Sequence, residues 1–477
     1  MCRDARTTMN SLPFPPRPLH PLRCNGLCPS RWFHGGVPVV VLFLALLIRV
    51  GVLVFTPAAL RADPDGYRRL AENLVEHGTF GVDGVPTAFR PPLYPLMLAG
   101  CVALGDYGRL AIGALHVTLG VATVGLVLVL GRWWGLGNRG SAIAALLVAC
   151  DPILLAQSAQ VMTETPAVFL ATAGLAALTW ASQSPTGCRL LLAGATLSLG
   201  ALCRPTLLLW TIAAGVVLFL SPWATGTSEI NSRRLTAPGG VATAGGVACK
   251  CRWCVAYLLG ASIVLSPWAI RNQLQFRRPI VTTTHGGYTL LLANNPEFYQ
   301  WLRSGQWGSV WQADRFNADW NQRKPHDELR ADRRAYAEAW QTIRRAPGTF
   351  AYACLVRVGR FWSPLPHQVV SDETSLRRWS RYAVAAWYVA EFLLMALGLV
   401  GHLRSDKEIP ALPSALRPPP SPWLWGLLLV VCLTSVHAVF WTDMRMRAPL
   451  MPVVAMIAAA GLSMLSYRHD GKHYWFA

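Results

Sequence analysis

The chain has 477 residues, of which 53% are hydrophobic and only 14% are charged. Soluble domains contain about a quarter charged residues, so this composition excludes a soluble enzyme, a disordered protein and a disulfide-rich secreted domain. The net charge is +19, but the basic residues are spread along the chain, which argues against nucleic-acid binding. The sequence therefore predicts a multi-pass membrane protein.

Ten apolar segments approach the roughly 20 residues that a membrane-spanning helix needs. We predict an all-α integral membrane bundle of about ten helices, with an N-terminal transmembrane module over 37–270 and C-terminal transmembrane helices over 383–466. Residues 1–36 are expected to be a disordered cytoplasmic tail, or to follow a start codon placed too far upstream. Residues 467–477 would form a second cytoplasmic tail. The predicted spans are 39–56, 109–131, 140–157, 163–181, 190–203, 205–221, 253–270, 383–402, 423–441 and 447–466.

Basic residues between the segments indicate how the bundle is oriented. Seventeen Lys and Arg fall on the side of the N-terminus, and seven fall in the short loops of the other side. The positive-inside rule then predicts a cytoplasmic N-terminus in a plasma (inner) membrane. It also places two polar segments on the outer face, a first outer loop over 57–108 and a loop domain over 271–382.

Both polar segments carry helical patterns. Apolar residues recur every three or four positions from Tyr67 to Val75, which predicts an amphipathic helix lying at the membrane interface. A second helix is predicted over Ala331–Ala346, and it should end before Pro347. We therefore expect a layer of amphipathic helices and loops on the outer face of the bundle.

The loop domain also contains turns and many tryptophans. Gly and Asn are concentrated in 284–288 and 292–296, which predicts a loop whose backbone or amide groups could bind a sugar, although plain turns have the same composition. His285 is an acid–base candidate, with a solvated loop histidine as the alternative, and Asn295 is a candidate binding residue. Five tryptophans should anchor the loop at the interface or stack on sugar rings: Trp301, Trp307, Trp311, Trp320 and Trp340.

The first outer loop places two acids immediately after a span. Asp63 and Asp65 precede the helix at Tyr67, and Arg90 follows 25 residues after Asp65. An aspartate there can act as a general base, and an arginine can hold an anion by two hydrogen bonds. The alternative is that the two acids merely cap the helix.

Several further polar residues lie at membrane level on the predicted outer side. Each could be an end residue whose charge reaches water, but ionisable groups at this depth are costly and are usually functional. We expect one cavity to collect Asp63, Arg90, Glu164, Arg204, Arg271 and Arg445, because clustered arginines with a few acids suit a phosphate-bearing lipid. The further polar residues at this level are Asp151, Glu164, Arg204, Arg271, Asn272, Asp443, Arg445 and Arg447.

Metal binding has little support in the sequence. Cys249, Cys251 and Cys254 have a spacing that zinc could use, but no fourth Cys or His stands nearby. A reduced loop entering a helix is the favoured interpretation. No metal site and no cofactor is predicted; a divalent metal is the open alternative, which no motif in the sequence indicates.

Seven motifs then occur in a consistent order relative to the spans. They are Asp63-x-x-x-Tyr67-x-x-x-Ala71, Arg90-Pro91-Pro92-Leu93-Tyr94-Pro95, Thr163-Glu164, Arg204-Pro205, Pro267-Trp268-Ala269-Ile270-Arg271-Asn272, Gly286-Gly287 with Asn294-Asn295-Pro296, and Arg445-x-Arg447-x-Pro449-x-x-Pro452. In these motifs the chain, over residues 39–466, resembles the GT-C superfamily of membrane glycosyltransferases. Members include protein O-mannosyltransferases and the lipid A aminoarabinose transferase.

The resemblance implies a sugar donor carried on polyprenyl phosphate and an acceptor that is a glycan, a lipid or a protein. It gives Asp63 the role of general base in an inverting transfer, and it makes Arg90 a cation that stabilises the leaving phosphate. Many relatives have a second acid directly after the first, whereas Pro64 intervenes here before Asp65. Asp65 is kept as a second catalytic candidate. The remaining candidates for substrate or phosphate binding are Tyr67, Glu164, Arg204, Arg271, Asn272, His285, Asn295, Arg445 and Arg447.

A sugar transporter or flippase for polyisoprenoid-linked donors is the alternative function. It would also need arginines at membrane level and a roomy cavity. Transporters often contain inverted repeats and broken helices that meet at the midplane. No such repeat is visible, and most of the polar residues gather at one face, which favours the transferase.

Overall fold

The computed structural model describes residues 36–56, 58–220, 244–304, 310–367, 373–405 and 421–467. The predicted tail 1–36 therefore lies outside the described residues except for Gly36, and the predicted tail 467–477 except for Tyr467. Trp307 also lies outside them, as do the side chains of Cys249 and Cys251.

The first half of the chain is a series of helices with one small hairpin. The helices are α1 (Gly36–Phe55), α2 (Tyr67–His77), α3 (Leu93–Val102), α4 (Gly108–Trp133), α5 (Gly137–Cys150), α6 (Pro152–Ser158), α7 (Glu164–Gln183), α8 (Gly187–Cys203), α9 (Leu208–Leu220) and α10 (Ala244–Phe276). Strands β1 (Gly81–Val82) and β2 (Val85–Pro86) pair antiparallel after α2. Short 3-10 turns occupy Gly105–Tyr107 and Pro205–Leu207.

The second half continues with helices. They are α11 (Gly286–Ala293), α12 (Pro296–Arg303), α13 (Asp314–Arg323), α14 (Glu328–Arg345), α15 (Pro347–Phe361), α16 (Ser375–Ser405), α17 (Trp423–Val439) and α18 (Met451–Tyr467). A 3-10 segment, Met444–Leu450, leads into α18.

The predicted all-α membrane fold is confirmed. Six helical segments of the described chain are long and apolar enough to cross a membrane, and α5 with α6, bent by 49°, would make a seventh. Each of the ten predicted segments contains a helix, but α8, α9 and α17 are shorter apolar helices. At a rise of about 1.5 Å per residue such helices fall short of the hydrocarbon thickness, so the predicted count of ten is not confirmed.

Two helix pairs in the bundle approach closely at glycines. A Cβ atom on Gly260 of α10 would lie 1.9 Å from the carbonyl oxygen of Leu191 in α8, and one on Gly194 would lie 2.0 Å from that of Tyr257. Likewise, a Cβ on Gly461 of α18 would lie 2.0 Å from Leu394 O in α16. Small residues allow such backbone contact between helices in a membrane. These glycines therefore fix how closely the helices pack.

A layer of loops and short helices covers one end of the bundle. We define this loop layer as residues 58–107, 277–304 and 310–367. Glu328 at the start of α14 joins its two parts, because its carboxylate accepts hydrogen bonds from Thr87 Oγ1 (2.5 Å), Ala88 N (3.0 Å) and Thr284 Oγ1. The first loop and the later helices are thereby held together.

The interior of the loop layer explains two differences from the sequence-based expectations. Trp311 and Trp320 are buried in an aromatic core with Phe298 and Phe316, so they do not anchor the layer to lipid. Trp340 is 52% exposed and stays an anchoring candidate.

The predicted Gly- and Asn-rich loop is instead largely helical. Gly286 and Gly287 begin α11. Glycine suits both positions, because a side chain there would collide with Tyr336 and Asp332 of α14. Asn295 caps α12 by accepting a hydrogen bond from Phe298 N at 2.8 Å. The predicted helix over 331–346 is confirmed as α14, which begins earlier because Asp327 caps it; Pro347 starts α15 rather than ending the helical region.

Replacement of Gly260 by alanine should lower the stability of the bundle. The new methyl group would meet the backbone of α8, which cannot move aside as a side chain can, and overpacking of this kind costs about 1–3 kcal/mol. The measurement is the apparent melting temperature of the purified protein in detergent. Gly359→Ala in α15 is the control, because nothing lies within 4 Å of its added Cβ. Equal melting temperatures for the two variants would contradict the close packing of α8 and α10.

Candidate active site

The turn before α2 fixes Asp63 through one carboxylate oxygen. Its Oδ2 accepts a hydrogen bond from the backbone N–H of Arg69 at 3.1 Å, so the predicted capping role is present. Gly66, with φ of 72°, makes the left-handed turn that leads into the helix. The second oxygen, Oδ1, is buried and has no hydrogen-bond partner among the described residues. Asp63 thus has one oxygen that holds the backbone and one that is free to accept a proton.

Asp65 and Arg90 form an ion pair. Arg90 Nη2 donates to Asp65 Oδ1 at 2.9 Å, and Nε donates to the backbone oxygen of Asp65 at 3.0 Å. Arg90 Nη1 also lies 3.4 Å from His285 Nε2. Asp65, Arg90 and His285 are far apart in the sequence, and the fold brings them into contact. Arg90 is consequently engaged by protein groups on all sides of its guanidinium.

A second charged cluster lies deeper and is poorly satisfied. Glu164 Oε1 lies 3.4 Å from Arg204 Nη1 and 3.8 Å from Arg445 Nε. Neither contact is a hydrogen bond, and Glu164 Oε2, Arg204 Nη1 and Arg445 Nε are all buried without a partner in the described part of the chain. Arg204 Nη2 contacts the sulfur of Met446. We call Glu164, Arg204 and Arg445 the arginine pocket; together they have a formal charge of +1.

Tyr67 lies between the two charged clusters. Its side chain interacts electrostatically with Arg90 and Asp65 on one side and with Glu164 and Arg204 on the other. Burial raises the pKa of Tyr67 to about 12, in spite of the nearby arginines, which act to lower it. The phenol is therefore protonated at neutral pH and can donate a hydrogen bond.

Three predicted binding residues use their polar atoms on the protein itself. Arg271 donates to the carbonyl oxygens of Thr87 (2.9 Å) and Phe80 (2.7 Å), which ties α10 to the first loop. Asn272 accepts from Arg271 and donates to Ile280 O. Asn295, besides capping α12, donates to backbone oxygens of α11. These three residues lie outside the two clusters described above.

Arg447 belongs to a separate buried group. It donates to the carbonyl oxygens of Phe361 (3.1 Å) and Ser363 (2.5 Å), and its guanidinium lies 4.3 Å from the ring centroid of Tyr388. Asp151 accepts a hydrogen bond from Tyr388 at 3.1 Å. Arg447 therefore points away from the arginine pocket, although Arg445 is only two residues earlier. This arrangement fixes the 3-10 segment from which Arg445 projects.

Two buried ionisable residues were missed in the sequence. Glu391 of α16 and His437 of α17 are each at most 3% exposed, and Oε2 of Glu391 and both ring nitrogens of His437 lack partners among the described residues. The signal that could have revealed them is the same one used for Glu164, an ionisable residue inside an apolar segment. Glu328 was also missed, and an acid at the start of an amphipathic helix gives no comparable signal.

A cavity of about 540 Å³ opens on the side of the Asp65–Arg90 pair. It is lined by Asp65, Arg90 and His285 together with residues of α13 and α14. Glu164, Arg204 and Arg445 do not line it. Asp63 and Arg271 do not line it either, so these residues do not share the single cavity that the sequence analysis expected. The arginine pocket is a charged cluster separate from the open cavity. In the described residues, no three His, Cys, Asp or Glu side chains converge as metal ligands would.

His285 is held in its neutral form. Burial, reinforced by the positive charge of Arg90, lowers the pKa of His285 to about 3 from an ordinary 6.5. Its ring packs against Phe89, with 4.4 Å between centroids, and Nδ1 has no partner among the described residues. Because the imidazole is neutral, it adds no positive charge that would repel the guanidinium of Arg90.

The stability of the protein should decrease in acid because of His285. Below pH 6.5 the unfolded chain binds a proton that the folded chain accepts only near pH 3, so the free energy of unfolding falls across this interval, by at most about 1.4 kcal/mol per pH unit. We expect His285→Gln to flatten the decline in melting temperature between pH 6.5 and 4. The two proteins should show parallel pH dependence above pH 7. An unchanged slope in the variant would show that His285 does not titrate in this way.

Comparison with known proteins agrees with part of the sequence-based prediction. Residues 89–233 match the family model for dolichyl-phosphate-mannose-protein mannosyltransferases. This match confirms the predicted resemblance to GT-C glycosyltransferases over that part of the chain. No curated protein matches the chain.

The chain is also similar to solved membrane proteins at low identity. One is the Archaeoglobus fulgidus oligosaccharyltransferase tethered with an acceptor peptide, with 14% identity and a TM-score of 0.46 over 92% of this chain and 50% of that chain. Another is ArnT from Cupriavidus metallidurans bound to undecaprenyl phosphate, with 14% identity and a TM-score of 0.34 over 91% of this chain and 79% of that chain. The chain therefore spans about half the length of the oligosaccharyltransferase.

Proposed function

We propose that this chain is a membrane glycosyltransferase that moves one sugar from a polyprenyl-phosphate carrier to an acceptor hydroxyl on the outer face of the plasma membrane. The observation that carries the proposal is the free, buried Oδ1 of Asp63, which is held in place through Oδ2. Tyr94 interacts electrostatically with both Asp63 and Glu164, which links Asp63 to the arginine pocket. The family match over residues 89–233 supports a donor of this kind, because that family is described by its use of dolichyl-phosphate mannose.

Asp63 acts as the general base in this proposal. The acceptor hydroxyl gives its proton to Asp63 Oδ1 while its oxygen forms a bond to the anomeric carbon. The bond from that carbon to the phosphate oxygen breaks, and the electron pair leaves with polyprenyl phosphate. Attack opposite the leaving group inverts the anomeric configuration. The hydrogen bond from Arg69 N–H restricts the carboxylate to one orientation, which lowers the entropic part of the barrier.

The arginine pocket receives the leaving phosphate. Arg204 and Arg445 each have a buried nitrogen without a partner, and such donors interact strongly with an anion because water does not compete with them. Glu164 forms an ion pair with each guanidinium, at 3.4 and 3.8 Å, but it hydrogen-bonds to neither. Tyr67, protonated at the junction of the two clusters, is placed to donate a further hydrogen bond to the phosphate or to the sugar.

Asp65, Arg90 and His285 form the wall between this pocket and the open cavity. Because Arg90 is already paired with Asp65, we assign this group to shaping the sugar site rather than to binding the phosphate alone. Arg271, Asn272, Asn295 and Arg447 hold backbone segments in place in this account, and the phosphate reaches none of them.

The variant Asp63→Asn should lose transfer and keep its fold. The amide oxygen of asparagine can still accept the hydrogen bond from Arg69, whereas it cannot take a proton, and loss of a general base lowers rates by about 10²–10⁴-fold. The measurement is release of polyprenyl phosphate from a panel of labelled polyprenyl-phosphate sugars by reconstituted protein. Asp83→Asn is the control, since Asp83 is an exposed partner of Arg69 in the same loop.

Full activity in the Asp63 variant would remove this residue from the mechanism. Movement of the intact labelled donor across the bilayer, with no release of its head group by either protein, would identify a transporter instead.

Replacement of Arg204 or Arg445 by glutamine should weaken donor use. A hydrogen bond to a charged group contributes about 1.5–3 kcal/mol, so we expect the donor KM or kcat/KM to worsen by roughly 10- to 150-fold, with little change in acceptor KM. Arg333→Gln on the exposed face of α14 is the control. Equal effects on donor and acceptor would indicate that these arginines only support the fold.

A further inference from the structure

The open cavity and the arginine pocket present different chemistry. The cavity lies between the first loop and helices α13 and α14, with a volume of about 540 Å³, which falls in the range of small-molecule sites. Asp65 and Gly66 line it, in the same turn that holds Asp63. Asp63 itself does not line the cavity, so in this proposal the cavity holds the body of the acceptor and only the reacting hydroxyl extends to Asp63.

The charges on the cavity wall balance and are largely engaged. The lining contains three cationic side chains and three carboxylates. Arg90 is paired with Asp65, Arg69 is paired with Asp83 at 2.8 Å, and the carboxylate of Glu328 accepts three hydrogen bonds. An anionic ligand would find few uncommitted cations here, and it would be bound better in the arginine pocket.

The groups that stay uncommitted suit hydroxyl groups. Asp332 accepts a hydrogen bond from Gly287 N through Oδ1, and no described residue donates one to its Oδ2. Asn321 accepts from Lys324 at 2.8 Å, which leaves its amide N–H groups available. His326 is exposed at the cavity wall. Carboxylate, amide and imidazole groups together can both donate to and accept from the same hydroxyl.

Aromatic rings supply the remaining surface. Phe89 is 37% exposed and lines the cavity together with Tyr288. Trp320 is also part of the lining, but it is only 4% exposed and contributes little surface. The C–H faces of a sugar ring pack on aromatic faces while its hydroxyls reach polar groups at the edge. A lipid chain would need a continuous apolar surface, which the polar groups of this wall interrupt.

From this combination we infer that the cavity binds an uncharged sugar unit, so that the acceptor of this enzyme is a glycan rather than a protein or a phospholipid. The inference rests on the proposed function for the direction of transfer. The binding itself depends only on the cavity.

Binding can therefore be tested without any donor. Saturation-transfer NMR of the full chain in detergent micelles would use uncharged disaccharides of glucose, galactose, mannose and N-acetylglucosamine, with a Ser/Thr hexapeptide and phosphatidylglycerol as competing classes. We expect at least one disaccharide to bind. The double variant Asn321→Ala/His326→Ala should weaken it by about tenfold, because it removes two hydrogen-bonding side chains. Gln322→Ala, adjacent but outside the cavity lining, is the matched control.

The inference is overturned if none of the disaccharides binds, if the peptide or the phospholipid binds in their place, or if the double variant binds them as well as the control does. Failure of the proposed function has a different signature, namely no Asp63-dependent release of polyprenyl phosphate, and it leaves the result of the NMR experiment unchanged.

Discussion

Charges at membrane depth impose the main constraint on this structure. A buried charge is expensive unless it is paired and hydrogen-bonded, and most buried charges here are. Arg271 donates to two carbonyl oxygens, and Arg90 is paired with Asp65. Arg447 also donates to carbonyl oxygens, but its Nε and Nη2 have no partner among the described residues, and the same is true of Oε2 of Glu391. Glu164, Arg204 and Arg445 differ from these in that buried atoms of three charged side chains lack hydrogen bonds in one cluster. An arrangement of this kind is tolerated where a ligand completes it.

The rest of the fold serves to hold these groups in register. The glycine contacts of α8 with α10 and of α16 with α18 set the spacing of the bundle. Arg447 fixes the 3-10 segment that carries Arg445, and Glu328 fastens the later helices of the loop layer to the first loop. The fold thereby brings Glu164, Arg204 and Arg445 into one cluster and Asp65, Arg90 and His285 into another. In the proposed function, the donor phosphate binds at the first cluster and the acceptor at the second.

The sequence predicted the helices well and the partners of polar residues less well. Long apolar segments can be recognised from composition alone, and each predicted span does contain a helix. For a polar residue in an apolar segment, the sequence predicts only its position along the helix. Its partner depends on how the helix is rotated, which the sequence does not specify. Arg445 and Arg447 show this, because two neighbouring arginines face different groups. The helix at Gly286 was predicted to be a loop because of its two glycines. Those glycines are explained by close packing against Tyr336 and Asp332 of α14, which lie over 40 residues away in the sequence.

In the proposed mechanism, the two oxygens of Asp63 have separate roles during repeated turnover. When a proton arrives on Oδ1, Oδ2 becomes a carbonyl oxygen, and it still accepts the hydrogen bond from Arg69 N–H. The bond is weaker to the neutral acid than to the carboxylate, but the first turn of α2 keeps its acceptor in both states. Asp63 could therefore be protonated at Oδ1 and deprotonated again in each catalytic cycle without losing the hydrogen bond that positions it.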